Sequence, residues 1–173
     1  MKIRPASPEV IHFVIEKSAL GLVLVAQSDK GLTAFALGDD RAALLSDLEQ
    51  RFPAATRIEG GGGVEATARK VVSFLKSPAR GLDVPLDLRG TQFQRRVWRE
   101  LQLIPAGSTA SYTEIAKRMG MPRAARAVAG ACAANAIAVA IPCHRVVRSD
   151  GGLSGYRWGI ERKRALLEAE GTG

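Results

Sequence analysis

The sequence predicts an α+β protein, with a small amino-terminal antiparallel sheet and its helices over residues 1–89 and a mainly helical domain with a helix-turn-helix over residues 90–173. Three observations support this. Short apolar segments separated by glycine or charged turn residues occupy residues 12–37; helical stripes with their own start signals follow; and two of the later helices flank a Gly-Met-Pro break. The 173 residues suit one or two small domains, and 46% hydrophobic content can build a packed core.

In chain order, His12 to Lys17, Leu20 to Gln27 and Leu32 to Leu37 are rich in Val, Leu and Phe and read as a meander. Asp39 and Asp40 offer a helix start, and Leu44, Leu45 and Leu48 form a stripe that ends at Pro53. A further helix is expected from Val64 to Lys76. Gly60 to Gly63 read as a flexible connection, because four consecutive glycines resist ordering and the Lys-Ser/Thr of a phosphate loop is missing. Arg80 to Arg89, carrying Pro85, read as the crossover between domains. Thr91-x-x-Gln94 is a capping box opening a helix whose Phe93, Val97, Trp98 and Leu101 share one face, and Pro105 and Gly107 end it. Ser111 and Glu114 form a second box, starting a helix to about Met119. Gly120-Met121-Pro122 then breaks the pattern, with Pro122 at or near the start of a helix from Ala124 to Ala133.

Charge is unevenly placed. Residues 1–89 hold 12 Lys/Arg against 11 Asp/Glu, whereas residues 90–173 hold 13 against 6, so the second half carries nearly all of the net +8. Such a surface attracts polyanions by neutralising phosphates and releasing counterions. The Ala/Gly-rich helix around Ala125 to Ala131 is too small-sided to read bases by hydrogen bonding. It suits either close approach to a nucleic-acid wall or packing inside the protein.

The chemistry concentrates in Ile141-Pro142-Cys143-His144-Arg145-Val146-Val147, where a thiol sits beside an imidazole and a guanidinium. A neighbouring basic group lowers a free-cysteine pKa of about 8.5 and exposes the nucleophilic thiolate. Taken alone, Cys143 could equally be a small buried hydrophobe. Two cysteines without CxxC spacing argue against a disulfide framework or zinc cluster, leaving Cys132 structural and no metal expected. No apolar run approaches a membrane span of about 18 residues, and no leader pattern opens the chain, so a cytoplasmic location is expected.

Four ordered blocks complete the sequence reading: Thr91-Gln92-Phe93-Gln94 with Val97-Trp98; Ser111-Tyr112 with Ile115-Ala116; Ala124 to Asn135; and the cysteine run followed by Ser154-Gly155-Tyr156-Arg157-Trp158-Gly159. Over residues 11–171 the chain resembles the O6-alkylguanine-DNA alkyltransferases (methylated-DNA-protein-cysteine methyltransferases), and most of all the carboxy-terminal half of their Ada-type members. The resemblance implies a ribonuclease H-like amino-terminal sheet, a monomer without cofactor, and double-stranded DNA containing O6-alkylguanine as partner. The alkyl group, from O6-alkylguanine and also O4-alkylthymine, would pass irreversibly to Cys143 after minor-groove binding and base flipping. The product thioether has no good leaving group, so each chain would act once.

It also implies roles. Cys143 is the nucleophile, His144 its base through a water, and Glu170 the carboxylate that orients His144, with Glu168 the alternative if the register slips. Tyr112 rotates the nucleotide and donates toward the purine ring nitrogen, and Asn135 ties the recognition helix to the active-site turn. Arg126 fills the gap left by the extruded base, and Ala125, Ala127, Ala129 and Ser149 lie against DNA. Val146, Arg157, Trp158 and Lys163 bound the substrate pocket, with carbonyls of Cys143 and Val146 accepting from the guanine amine. Trp158 stands where animal relatives carry glycine, so an indole facing the pocket would crowd large substituents and leave room for methyl. The four-cysteine zinc unit and regulator module of Ada-type proteins have no counterpart in the sequence, which implies no phosphotriester repair or transcriptional switching. Two other classes compete: a lesion binder that does not transfer, against which Cys143 counts, and a helix-turn-helix regulator, against which the small recognition-helix residues count.

Overall fold

In the computed structural model, which describes residues 8–171, the chain is α+β: a small four-stranded sheet, then a set of short helices. Strands β1 (Val10–Ser18), β2 (Gly21–Ser28) and β3 (Gly31–Gly38) form the expected antiparallel meander, with Val14 opposite Val25 and Val25 opposite Phe35. Both hairpins use the same device. Ser18 Oγ accepts from Leu20 N at 3.1 Å and Ser28 Oγ from Lys30 N at 3.1 Å, each serine three residues ahead of a glycine with positive φ. Helix α1 (Arg41–Arg51) is capped by the Asp40 side chain, accepting from Ala42 N at 3.2 Å, and buries Leu44 and Leu48.

The sheet departs from the expected antiparallel one. A fourth strand, β4 (Thr56–Glu59), pairs parallel with β1 and gives the order β3-β2-β1-β4. Its Thr-Arg-Ile-Glu sequence has no buried face, so no alternation marks it; main-chain pairing at the sheet edge holds it.

The four glycines that follow are also not the expected flexible connection. All four adopt left-handed φ, between +61° and +81°, in a defined turn. Gly60 O accepts from His12 Nδ1 at 2.8 Å, Gly61 N donates to Glu65 Oε1 at 2.8 Å, and Gly62 O accepts from Gln27 Nε2 at 2.6 Å. A Cβ on Gly62 would meet the His12 ring at 2.5 Å. Glycine is required here by handedness and by close approach.

Helix α2 (Val64–Lys76) lays Val64, Ala68, Val71, Phe74 and Leu75 on β1 and β2. The crossover is fastened along β3, with Leu32 N donating to Pro85 O and Asp87 N to Leu32 O, both at 2.8 Å. Both predicted capping boxes form, the first starting α3 (Gln92–Gln102) and the second α4 (Tyr112–Arg118). Helix α5 (Ala125–Ala133) begins later than expected: Pro122 lies in the preceding turn, and Ala124 occupies the cap without a side-chain bond. Trp98 Nε1 donates to Ala131 O at 2.9 Å, pinning α3 to α5. Beyond these, β5 (Ala110–Ser111) pairs parallel with β6 (Val146–Val147), and α6 (Ile160–Ala169) closes the fold.

One continuous apolar cluster runs from Ile11 of the sheet to Leu166 of the last helix. Main-chain bonds join the two halves, Phe35 N to Ala136 O at 2.9 Å and Ala138 N to Phe35 O at 2.8 Å. Arg162 adds a clasp, donating to Leu20 O and Asp39 Oδ1, both at 2.8 Å. Among the described residues no helix is long and apolar enough to cross a membrane.

Gly62→Ala is expected to destabilise the protein by at least about 1–2 kcal/mol, the cost of forcing a side chain into the left-handed region, with the His12 contact added. Urea unfolding monitored by tryptophan fluorescence checks this. A loss below the cost of an ordinary exposed substitution would mean that the turn relaxes freely.

Candidate active site

Residues 134–142 carry the chain from α5 to the cysteine through a segment with two unusual supports. Asn135, 1% exposed, accepts from Ile137 N at 2.9 Å, donates from Nδ2 to Ile141 O at 3.0 Å and reaches Cys143 Sγ at 3.4 Å. Val139 holds φ at +64° in a three-residue turn closed by Ala140 N on Ala138 O at 2.6 Å. A β-branched residue rarely adopts that conformation, and surrounding structure must enforce it. After Pro142, residues Cys143–Arg145 form one 3-10 turn, all three side chains buried.

The centre of the site is a shared carboxylate. Glu170, just past the end of α6, accepts from His144 Nε2 at 2.8 Å and from Arg145 Nε and Nη2 at 3.0 and 2.8 Å. Arg145 Nη1 also donates to Ile104 O at 2.8 Å, behind α3. Burial opposes charge on Glu170, but the bonds and charges of His144 and Arg145 outweigh it and hold the carboxyl down at about 2. Glu168 is exposed, and the carboxylate that meets His144 is that of Glu170. Arg145 as the second partner escaped the sequence reading, since nothing in its spacing foretells a contact with residue 170.

Burial sets the resting protonation of the other two groups. It pushes the Cys143 thiol above its ordinary value, against the Asn135 bond and the Lys163 and Arg157 charges that pull it down. It pushes His144 below its ordinary value, against the pull of Glu170. Thiol and imidazole therefore rest neutral at pH 7. Because an ionised Glu170 can only accept, the hydrogen of His144 lies on Nε2, and Nδ1 carries the lone pair. Nδ1 is buried and has no hydrogen-bond partner among the described residues.

Cys143 opens on a cavity of about 420 Å³ that Tyr112, Ala129, Cys132, Ser154 and Arg157 help to line. Cys132 is thus a wall residue, its thiol pushed up to about 12 chiefly by burial and so held protonated. Val146 and Lys163 are fully buried behind the wall, where Lys163 Nζ donates to Val146 O at 2.6 Å and to Ser154 Oγ at 3.1 Å. Arg157 borders the cavity while donating to Ala133 O at 3.0 Å and Asp47 Oδ1 at 3.1 Å.

Trp158 does not line this cavity. It is buried beside Leu37, Gly38 and Leu44 in a separate recess and meets Tyr156 edge-on at 5.3 Å. The expectation that its indole crowds large substituents does not fit this placement, because the ring packs the 152–158 loop against β3 and α1.

Of the residues expected to meet DNA, Ala125, Arg126, Ala127 and Ala129 lie on the outer side of α5. Arg126, Ala127, Gly130 and Ala133 are exposed, Ala125 and Ala129 half-buried, and Val128, Ala131 and Cys132 turn inward. Arg126 makes no ion pair among the described residues. Tyr112, at the start of α4, is half-buried, and exposed Ser149 lies 3.4 Å from Thr113 Oγ1. No group of three or more His, Cys, Asp or Glu side chains converges to hold a metal among the described residues.

Residues 92–172 match the family model for the DNA-binding domain of 6-O-methylguanine DNA methyltransferase. The chain is 57% identical over 162 residues to a methylated-DNA–protein-cysteine methyltransferase of Mycolicibacterium paratuberculosis, covering 93% of each. It is 49% identical over 160 residues to the bifunctional transcriptional activator/DNA repair enzyme Ada of Escherichia coli, covering 92% of this chain but 45% of Ada, so it spans about half the length of that relative. Among solved structures it is similar to Mycobacterium tuberculosis OGT in complex with DNA, with a TM-score of 0.77 and 38% identity over 92% of each chain.

Removing the shared carboxylate by Glu170→Gln leaves buried Arg145 without a counter-charge and is expected to cost about 3 kcal/mol at pH 7 in urea unfolding. In the wild type, Glu170 titrates lower folded than unfolded. Its stabilisation is complete above pH 4.5 and is lost as pH falls toward about 2. A variant as stable as wild type, or an acid-insensitive difference between them, would remove Glu170 from its central place.

Proposed function

Since the chain belongs to the 6-O-methylguanine-DNA methyltransferase family, we propose that it repairs DNA by moving an alkyl group, methyl above all, from guanine O6 in duplex DNA to Cys143. The observation that carries this reading is the buried Cys143 thiol, bordering a cavity and followed in the chain by an imidazole whose far nitrogen is fixed by an ionised carboxylate.

The thiol proton passes toward His144 Nδ1, the sulfur attacks the alkyl carbon, and the electron pair of the carbon–oxygen bond stays with the purine. Tyr112 supplies a proton or hydrogen bond to the purine ring nitrogen as that charge develops. Asn135 holds the turn that presents the sulfur. The product thioether has no exit, so one chain accepts one alkyl group. The same attack extends to O4-alkylthymine, where the alkyl carbon sits on an equivalent exocyclic oxygen.

The DNA face is read as a helix-turn-helix, α4 and α5, carried on a domain of residues 90–173, with residues 1–89 forming a ribonuclease H-like unit. The strand order β3-β2-β1-β4 with a parallel fourth strand supports the latter reading. Small residues on α5 permit close approach in the minor groove, and exposed Arg126 fills the stack as the target base swings toward Cys143, at a cost of a few kcal/mol in lost stacking. Val146 and Lys163 shape this site from behind, through the bond between them. Because Val146 O already accepts from Lys163, recognition of the guanine amine there needs its second lone pair.

Labelled O6-methylguanine duplex tests the reading. Label is expected on the wild type and on Cys132→Ser, and none on Cys143→Ala, which keeps its DNA affinity; DNA binding without label on the wild type would overturn it. Arg126→Ala is expected to slow repair in duplex DNA by roughly tenfold, the size of one lost positioning contact, while leaving reaction with free O6-methylguanine near wild type. Equal losses on both would deny the stack-filling role. The pH profile of transfer is expected to stay flat through neutrality and fall only below 6.5, as His144 protonates and can no longer take the thiol proton. A rate that instead climbs toward about 8.5, as for a free thiol, would contradict activation by His144.

A further inference from the structure

Behind the cavity wall runs a hydrogen-bonded chain in which Ser154, given no role above, links Lys163 to Tyr112. Lys163, with 0% of its surface exposed, extends Nζ to Val146 O at 2.6 Å and to Ser154 Oγ at 3.1 Å, and Ser154 Oγ lies 2.5 Å from Tyr112 Oη. Tyr112 and Ser154 both face the cavity that holds Cys143.

We propose that Ser154 is a positioning residue for Tyr112, converting the buried Lys163 into support for the phenol as it gives its hydrogen to the substrate. This rests on the proposed function and deepens it.

Donors and acceptors set the direction of each bond in the chain. An ammonium only donates, so Ser154 Oγ accepts from Lys163. The hydroxyl hydrogen of Ser154 is then available to Tyr112 Oη, which frees the phenolic hydrogen to point into the cavity. As sulfur bonds to the alkyl carbon and the carbon–oxygen pair moves onto the purine, the Tyr112 hydrogen goes to the ring nitrogen. Negative charge grows on the phenolic oxygen, and the bond from Ser154, polarised by Lys163, strengthens as it does. That is stabilisation present chiefly in the transition state. Burial pushes the Tyr112 phenol up while the Ser154 bond pulls it down, in keeping with this direction of donation. Val146 O ties the far end of the chain to the strand next to the Cys143 turn, so the phenol and the sulfur share one frame.

The test separates leaving-group assistance from a general loss of site structure. Methyl iodide alkylates the same sulfur but departs as iodide, which needs no proton. Ser154→Ala is expected to slow transfer from O6-methylguanine duplex by roughly tenfold or more, within the range of general-acid contributions. Its alkylation at Cys143 by methyl iodide, located by peptide mass, should stay within about twofold of wild type, and Ser154→Thr, which keeps the hydroxyl, should recover most of the O6-methylguanine rate. Equal slowing on both reagents, an unchanged rate on both, or no recovery by threonine would overturn the proposal. A wild type that fails to transfer from O6-methylguanine while still reacting with methyl iodide would instead refute the proposed function.

Discussion

Glu170 is one residue past the last helix, yet its carboxylate gathers two distant pieces of chain: the cysteine turn, through His144 and Arg145, and, through Arg145, the carbonyl of Ile104 just past the end of α3. Burying three ionisable groups is costly, and removing one partner strands the others. The arrangement holds because the carboxylate is fully engaged and the guanidinium forks onto it with two nitrogens. Everything downstream depends on this fixture. It sets the pose of the 3-10 turn, the hydrogen of His144 on Nε2, and the lone pair on Nδ1 in a buried setting next in chain to the thiol.

The site rests in its neutral form, because burial raises the thiol, lowers the imidazole, and keeps the second thiol, Cys132, protonated. A permanently ionised cysteine would react with any passing electrophile and be consumed. Under the proposed transfer, a neutral pair releases its proton only as an alkyl carbon comes within reach, which suits a sulfur that would be spent once. The exposed Ala and Gly positions of α5 and the positive excess of residues 90–173 suit the proposed DNA face, a surface able to approach phosphates closely without demanding a sequence.

How much of this was legible in the sequence depended on whether the signal was local. The three meander strands, α1 to α5 and both capping boxes were readable because each rests on neighbours within four residues. Strand β4 was not, since a short edge strand with polar side chains has no hydrophobic period. The glycine run misled for a related reason: its order comes from His12 and Gln27, residues from two other strands. At the site, adjacency put His144 beside Cys143, and family resemblance paired His144 with Glu170, two side chains that do meet in the fold. Arg145 and Ser154 become visible only once folding brings residues 104, 112, 163 and 170 around the turn. The placement of Trp158 was not legible, because sequence position fixes that this loop passes the cavity but not which way its indole turns.

The most direct measurement is the stoichiometry and address of transfer on the unmodified protein. With excess O6-methylguanine duplex, the account predicts label rising to one methyl per chain and stopping there, all of it in the peptide that contains Cys143. Continued turnover beyond that plateau, or label on the Cys132 peptide, would contradict it.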